Sequence, residues 1–303
     1  MSSIALQVTR TGLSVLSGLS PELAGRSAFW LFCRTPPRKP RGQKARALLA
    51  TAGRRLAEAE RTDLDVPGGT IAAYRFAAAA DGPGRPADAG PVLVVHGWAS
   101  RSEHMMAVIE TIRQGGRDVV AIDLPGHGRS SGRKLNIRLG VTAIDAAWRH
   151  YGPFSAMIGH SFGGVVVLNA AQGSIQGIPA NRPERMALIA SPASIPGLFA
   201  TVAGWLGISG PARRAFEDEV KRITGRPLCR FDGVSQLAEV GVPTLIVHAR
   251  DDKEVDCQAA ETYAAAGDHV RLHWADGLGH RRIIGAAPVV TKVSAFVAAG
   301  CTD

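Results

Sequence analysis

Three observations predict an α/β fold, with a mostly parallel central sheet and helices on both of its faces, for this sequence of 303 residues. From about residue 63 onward, short apolar runs of strand length alternate with helical stretches, the pattern of strand–crossover–strand units. The runs are continuously apolar instead of alternating, as strands covered on both faces are. A composition of 46% hydrophobic and 20% charged residues supplies enough apolar material for one large core.

Residues 1–62 read as a basic helical N-terminal extension, and residues 63–303 as the body. In the extension Leu13, Leu16, Leu19 and Leu23 recur at helical spacing, the basic break TPPRKPRGQK follows, and residues 47–61 are rich in Ala, Leu, Arg and Glu. In the body, residues 70–76 form one side of a hairpin, followed by the loop AAAADGPGRPADAG, which reads as a disordered connection. Buried strands are expected at 92–96, 118–122, 155–158, 186–190, 244–248 and 270–274. The interval between the fourth and fifth of these is too long for a plain crossover. It carries the apolar GLFATVAGWLG and the charged helical PARRAFEDEVKRITG, so a helical lid insertion is expected at about 194–238.

The formal net charge of +9 resides in the extension: residues 1–62 hold 11 Lys/Arg against 3 Asp/Glu, and the remaining 241 residues hold 24 against 23. A nucleic-acid partner would require a basic surface on the folded body, and none is expected. Three readings stay open for the extension: an amphipathic element packed on the body, which the four leucines favour, contact with a membrane surface through the basic residues, or a mobile tail. No apolar run is long enough to span a membrane, and the 11–24 stretch makes a poor secretory signal, so a cytoplasmic location is expected. Cys33, Cys229, Cys257 and Cys301 are far apart and form no metal-binding or disulfide pattern.

The strongest local signal is Gly159-His160-Ser161-Phe162-Gly163-Gly164, set between an expected strand and the helical run VVVLNAA. In a strand–turn–helix the small glycines permit a tight turn that lifts the Ser161 hydroxyl to the top of the sheet. Four other motifs flank it in order. PVLVV leads into His96-Gly97-Trp98, and a strand ending at Ile122 leads into Asp123-Leu124-Pro125-Gly126-His127-Gly128-Arg129-Ser130. HARDDKEV and GLGHRR each follow a later strand.

With these five motifs the sequence resembles the α/β-hydrolase superfamily over roughly residues 65–300. The resemblance implies a nucleophile, acid and base in the order Ser161, Asp252, His280. A serine hydroxyl is a weak nucleophile, so an imidazole must take its proton and a carboxylate must hold that imidazole in the right tautomer. Asp251 is a rival to Asp252. In similar proteins the acid stands three residues after a Gly that follows the strand, and Ala249 fills that position, which favours Asp252. No Asp or Glu lies between Met186 and Phe216 to serve the alternative arrangement. His280 competes with His96, His160, His248 and His273, but it follows Gly279 in a loop after the last strand, from which an imidazole can reach back over the sheet. The oxyanion donors are expected to be the backbone N–H of Phe162 and, as the resemblance implies, that of Trp98. The Trp98 indole either walls the acyl pocket or fills core. Arg281 and Arg282 read as solvated surface residues, with contact to an acidic substrate group as the alternative.

The expected activity is hydrolysis of carboxylic esters through an acyl-enzyme, with an acyl group of short to medium length suggested by the apolar insertion. A small-molecule acyl ester is the expected partner, and no cofactor or metal is called for. The same triad serves thioesterases, lactonases and carbon–carbon bond hydrolases, and the fold also occurs as a silent binding module. A carboxylate nucleophile, as in epoxide hydrolases and haloalkane dehalogenases, is disfavoured by Ser161.

Overall fold

The computed structural model describes residues 3–38, 42–80 and 90–299. The chain opens with helices α1 (Ser3–Leu19), α2 (Pro21–Phe32) and α3 (Gln43–Leu56), then the hairpin strands β1 (Glu60–Val66) and β2 (Gly69–Phe76). Next come β3 (Val92–Val95), α4 (Met106–Gln114), β4 (Val119–Ile122), α5 (Ile137–Tyr151), β5 (Ala156–His160) and α6 (Phe162–Gln172). After β6 (Arg185–Ile189) the chain makes a helical excursion through α7 (Ile195–Leu206) and α8 (Gly210–Thr224), and returns by α9 (Gly233–Val240). The last elements are β7 (Thr244–His248), α10 (Gln258–Ala264), β8 (Val270–Trp274), α11 (Gly279–Arg282) and α12 (Ala287–Ala298).

The eight strands form one sheet in the order β1-β2-β4-β3-β5-β6-β7-β8. β2 pairs antiparallel with both β1 and β4, and every pairing from β4 across to β8 is parallel. The chain reverses its direction of travel across the sheet after β4, crossing over β3 to β5, so a crevice opens beyond the carboxyl ends of the central strands. Register aligns those ends: Val95 of β3 pairs with Ile122 of β4 and with Gly159 of β5. The loops that follow these three strands therefore leave the sheet side by side.

Side-chain alternation divides the core into two layers. Leu93, Val95 and Met157 face a cluster built with α2, α5, α6, α7 and α8, whereas Val92, Val94 and Ile158 face one built with α4 and α12. Coverage on both faces explains the apolar runs of β3 to β7 that predicted them. The strand at 270–274, expected to be buried, is instead half-buried with Arg271 exposed, because β8 lies at the edge of the sheet.

The N-terminal region departs from expectation in two places. Leu13, Leu16, Leu19 and Leu23 do not lie on one helix, because Ser20 caps the start of α2 through its hydroxyl and Pro21 occupies the first turn. Leu13 is buried and Leu16 half-buried, but Leu19 is 80% and Leu23 53% exposed. The helix expected over 47–61 ends at Leu56, and β1 starts at Glu60, inside the residues assigned to the extension. Its partner β2 supplies the ladder that overrides the helical preference of the Ala- and Glu-rich sequence. The loop read as disordered lies mostly outside the described residues. Among the described residues no helix is long and apolar enough to cross a membrane.

Candidate active site

Ser161 stands between β5 and α6 with φ +53° and ψ −126°, a conformation that costs a non-glycine residue on the order of 1–3 kcal/mol. The turn is held by Ser161 N–H donating to the Ile189 carbonyl at 2.8 Å and by Gly164 N–H donating back to the Ser161 carbonyl at 2.9 Å. The hydroxyl thus stands at the amino end of α6, where the helix dipole favours negative charge.

His280, on α11, brings its Nε2 to 3.0 Å from Ser161 Oγ and its Nδ1 to 2.8 Å from Asp252 Oδ2. Asp252 is held from its other side, since Oδ1 accepts the backbone N–H of Glu254 at 2.8 Å and of Val255 at 3.0 Å. Burial pushes this carboxyl up, yet the bonds from His280, Val255 and Glu254 outweigh it and hold it below the ordinary carboxylate range. Asp251 points elsewhere: its Oδ1 accepts the Gly277 N–H at 2.8 Å, which braces the loop that carries His280. The residues selected from the sequence are brought together, and the rival carboxylate is not among them.

The other expected contributors lie at the same crevice. Gly97 packs so closely on Ser161 that a Cβ there would sit 2.8 Å from Ser161 Cβ and 3.0 Å from the His160 carbonyl. His96 Nδ1–H donates to the Gly97 carbonyl at 2.7 Å, and Leu124 N–H donates to its Nε2 at 2.9 Å, which fixes the tautomer. Because a trans peptide holds C=O and N–H on opposite sides, this bond also fixes the direction of the Trp98 N–H. Neither Trp98 nor Phe162 spends its N–H on the turn and loop bonds of the described residues. Their rings meet edge to face at 5.9 Å.

Three further histidines are bracing groups that sequence reasoning did not resolve. His160 Nε2–H donates to the His280 carbonyl at 2.9 Å, and burial lowers its pKa to about 4, with the neighbouring His280 adding to the shift. His127 accepts the Ala99 N–H at 3.1 Å, tying the loop after Trp98 to the loop after β4. His248 donates from Nε2 to the Val255 carbonyl at 3.2 Å, beneath Asp252. The signal for all three is a histidine beside a glycine or at a strand end, too common in sequence to single them out. His273 lies within β8, partly buried. Arg281 pairs with Glu254 at 2.7 Å, and Arg282 donates to the carbonyls of Gly277 and Leu278, so both are committed to partners within the chain.

The crevice opens into a cavity of about 1570 Å³ whose lining includes Trp98, Ser161, Phe162 and His280. A strained serine at a strand–helix turn, backed by an imidazole and a carboxylate at the carboxyl ends of a parallel sheet, defines the class of α/β proteins built to carry a nucleophile over a central sheet. A family model described as "Alpha/beta hydrolase family" matches residues 92–291, and the chain belongs to that family. A search of curated proteins finds no match. Solved structures share the fold at low identity. Est1E of Butyrivibrio proteoclasticus, with ferulic acid bound, is 21% identical, with a TM-score of 0.58 over 78% of this chain and 96% of its own. An esterase of Pyrococcus furiosus is 17% identical, with a TM-score of 0.56 over 87% and 95%. A thioesterase domain from the curacin biosynthetic pathway is 17% identical, with a TM-score of 0.54 over 78% and 99%.

Proposed function

We propose that the protein is a serine hydrolase that cleaves carboxylic esters through an acyl-enzyme. The observation that carries this reading is the hydrogen-bonded series Ser161 Oγ, His280, Asp252 at the mouth of an apolar cavity. Ser161 Oγ attacks the ester carbonyl while His280 Nε2 takes its proton, and the carbonyl π electrons move onto oxygen. The backbone N–H groups of Trp98 and Phe162 receive that oxyanion. His280 then protonates the departing alcohol oxygen as the carbonyl re-forms, leaving Ser161 acylated. Water, deprotonated by His280, repeats the attack and frees the acid and the serine. Asp252 keeps the Nδ1 proton in place and stabilises the imidazolium at both stages.

The α7–α8 excursion serves as the lid over this chemistry, since its apolar face joins the lining of the cavity, and the Trp98 indole walls the acyl side. Thioesters and lactones present the same carbonyl to the same nucleophile. A panel of matched oxygen esters, thioesters and lactones separates these readings: the highest kcat/KM is expected on oxygen esters, and preference for a thioester or lactone would reassign the leaving group. No turnover of any of them would favour a silent module.

A further inference from the structure

The cavity beside Ser161 exceeds the ~300–1,000 Å³ usual for sites that hold one drug-sized ligand. Its two regions differ in chemistry. The lining from the loops around the triad mixes the polar Ser100, Glu103, His104 and Glu254 with the apolar Ala99, Val255 and Leu278. The part contributed by α1, α2, α7 and α8 is apolar, with Thr201 its single polar side chain among the described residues. An aromatic path joins the two: Phe162, next to the nucleophile, meets Trp98 at 5.9 Å, Trp98 stacks on Phe32 at 6.3 Å with the rings 5° apart, and Phe32 meets Phe199 at 5.5 Å.

Phe32 belongs to α2, which precedes the segment matched by the family model. Helix α2 is seated firmly. Ala24, Ala28 and Phe29 are buried, and Gly25 lies so close to α8 that a Cβ would meet Ala215 Cβ at 2.6 Å and the Phe216 nitrogen at 2.6 Å. The N-terminal segment is therefore part of the cavity wall. A methylene takes roughly the room of a water, ~30 Å³, so a chain of about sixteen carbons fills roughly 500 Å³. The cavity holds such a chain with room for a bulky alcohol.

We propose that this apolar region is an acyl site for long-chain fatty esters, about twelve carbons or more, and that α2 sets the chain-length preference through Phe29, Leu31 and Phe32. The proposed chain is longer than the short to medium one expected from sequence, since α2 adds a second side to the enclosure that the α7 segment alone did not suggest. The proposal rests on the ester-hydrolase reading and deepens it. Each methylene that leaves water raises kcat/KM by up to about fourfold.

The experiment compares kcat/KM for p-nitrophenyl butyrate, octanoate, laurate and palmitate, below their micelle concentrations, in the parent chain and in Phe32→Ala and Leu31→Glu. Leu31 is 36% exposed, so the charged variant keeps the test alive if Phe32→Ala does not fold. The parent is expected to favour laurate over butyrate by at least about tenfold, and each variant to lower that ratio about tenfold or more. A parent ratio of one or less, or a ratio unmoved in both variants, overturns the proposal. Displacement of a fluorescent fatty-acid probe by laurate, read in the same chains, separates the two claims. Laurate displacement weakened by Leu31→Glu, with no ester cleaved, refutes the hydrolase reading and supports the acyl site. Butyrate hydrolysis without laurate displacement refutes the acyl site and leaves the hydrolase reading intact.

Discussion

Replacing Asp252 by asparagine changes one atom, and the surrounding hydrogen bonds dictate what that atom does. Oδ1 accepts two backbone N–H groups, from Glu254 and Val255. Both are donors, so the amide oxygen of the introduced asparagine must remain there and its NH2 must take the place of Oδ2, facing His280. A donor then meets Nδ1, which can no longer carry its proton, and the neutral imidazole is forced into the tautomer with hydrogen on Nε2. That nitrogen is the one 3.0 Å from Ser161 Oγ, so the base is lost while the geometry stays intact. The expected fall in kcat is roughly four powers of ten, or about 5 kcal/mol in the barrier. Asp251→Asn is the matched control. Its amide oxygen still accepts the Gly277 N–H, and kcat should change by less than about threefold, the effect of weakening one exposed bond. The assay is steady-state hydrolysis of a chromogenic ester by both variants, with circular dichroism to establish folding. A folded Asp252→Asn chain with kcat within tenfold of the parent would refute the argument, as would an equal loss in Asp251→Asn.

Two further expectations follow from the loops and the buried histidines. Gly97→Ala should lower kcat/KM by roughly a hundredfold, because the added Cβ must push Ser161 or the Gly97–Trp98 peptide away from its position; near-parental kcat/KM in a folded variant would show that this contact is not part of the machinery. The pH dependence of stability has a fixed sign: His160 is held neutral with its pKa lowered from 6.5 to about 4, so the unfolded chain binds the extra proton between these values. Stability present above pH 6.5 is therefore lost as pH falls toward 4, by up to about 3 kcal/mol from this residue, and the lowered pKa values of His96, His127 and His248 act in the same direction. Denaturant midpoints at pH 7.5, 5.5 and 4.5 should fall in that order, and a flat series would contradict the assignment of these histidines as buried neutral groups.

What could be read from the sequence follows from how local each signal is. The strand at 244–248 is found at those bounds, with all five residues buried between two covered faces. The strand at 270–274 is also found at its bounds, but at the sheet edge, with Arg271 exposed and its other residues half-buried. The relation of Ser161 to His280 was legible from the order of motifs that the family resemblance implies, and both follow strands that run parallel in the sheet. The choice between Asp251 and Asp252 was harder, because adjacent carboxylates differ only in which way the turn after β7 directs them. The hairpin strand β1 was missed because its sequence, ERTDLDV, is mostly exposed and charged, and only its pairing with β2 makes it a strand. The place of α2 was invisible for a related reason. Nothing in residues 21–32 states that their apolar face will meet α8, some two hundred residues later in the chain, or that Phe32 will stack on Trp98.

Covalent labelling of the intact protein with a fluorophosphonate, followed by peptide mass mapping, tests the activated nucleophile most directly, because it needs no knowledge of the substrate. Phosphorus replaces the carbonyl carbon as the centre attacked by Ser161 Oγ, and fluoride leaves in place of the alcohol. A single adduct is expected, on the peptide that contains Ser161, absent from the folded Ser161→Ala variant. An adduct on another residue, or a folded parent chain that takes no label, would contradict the assignment of Ser161 as the nucleophile.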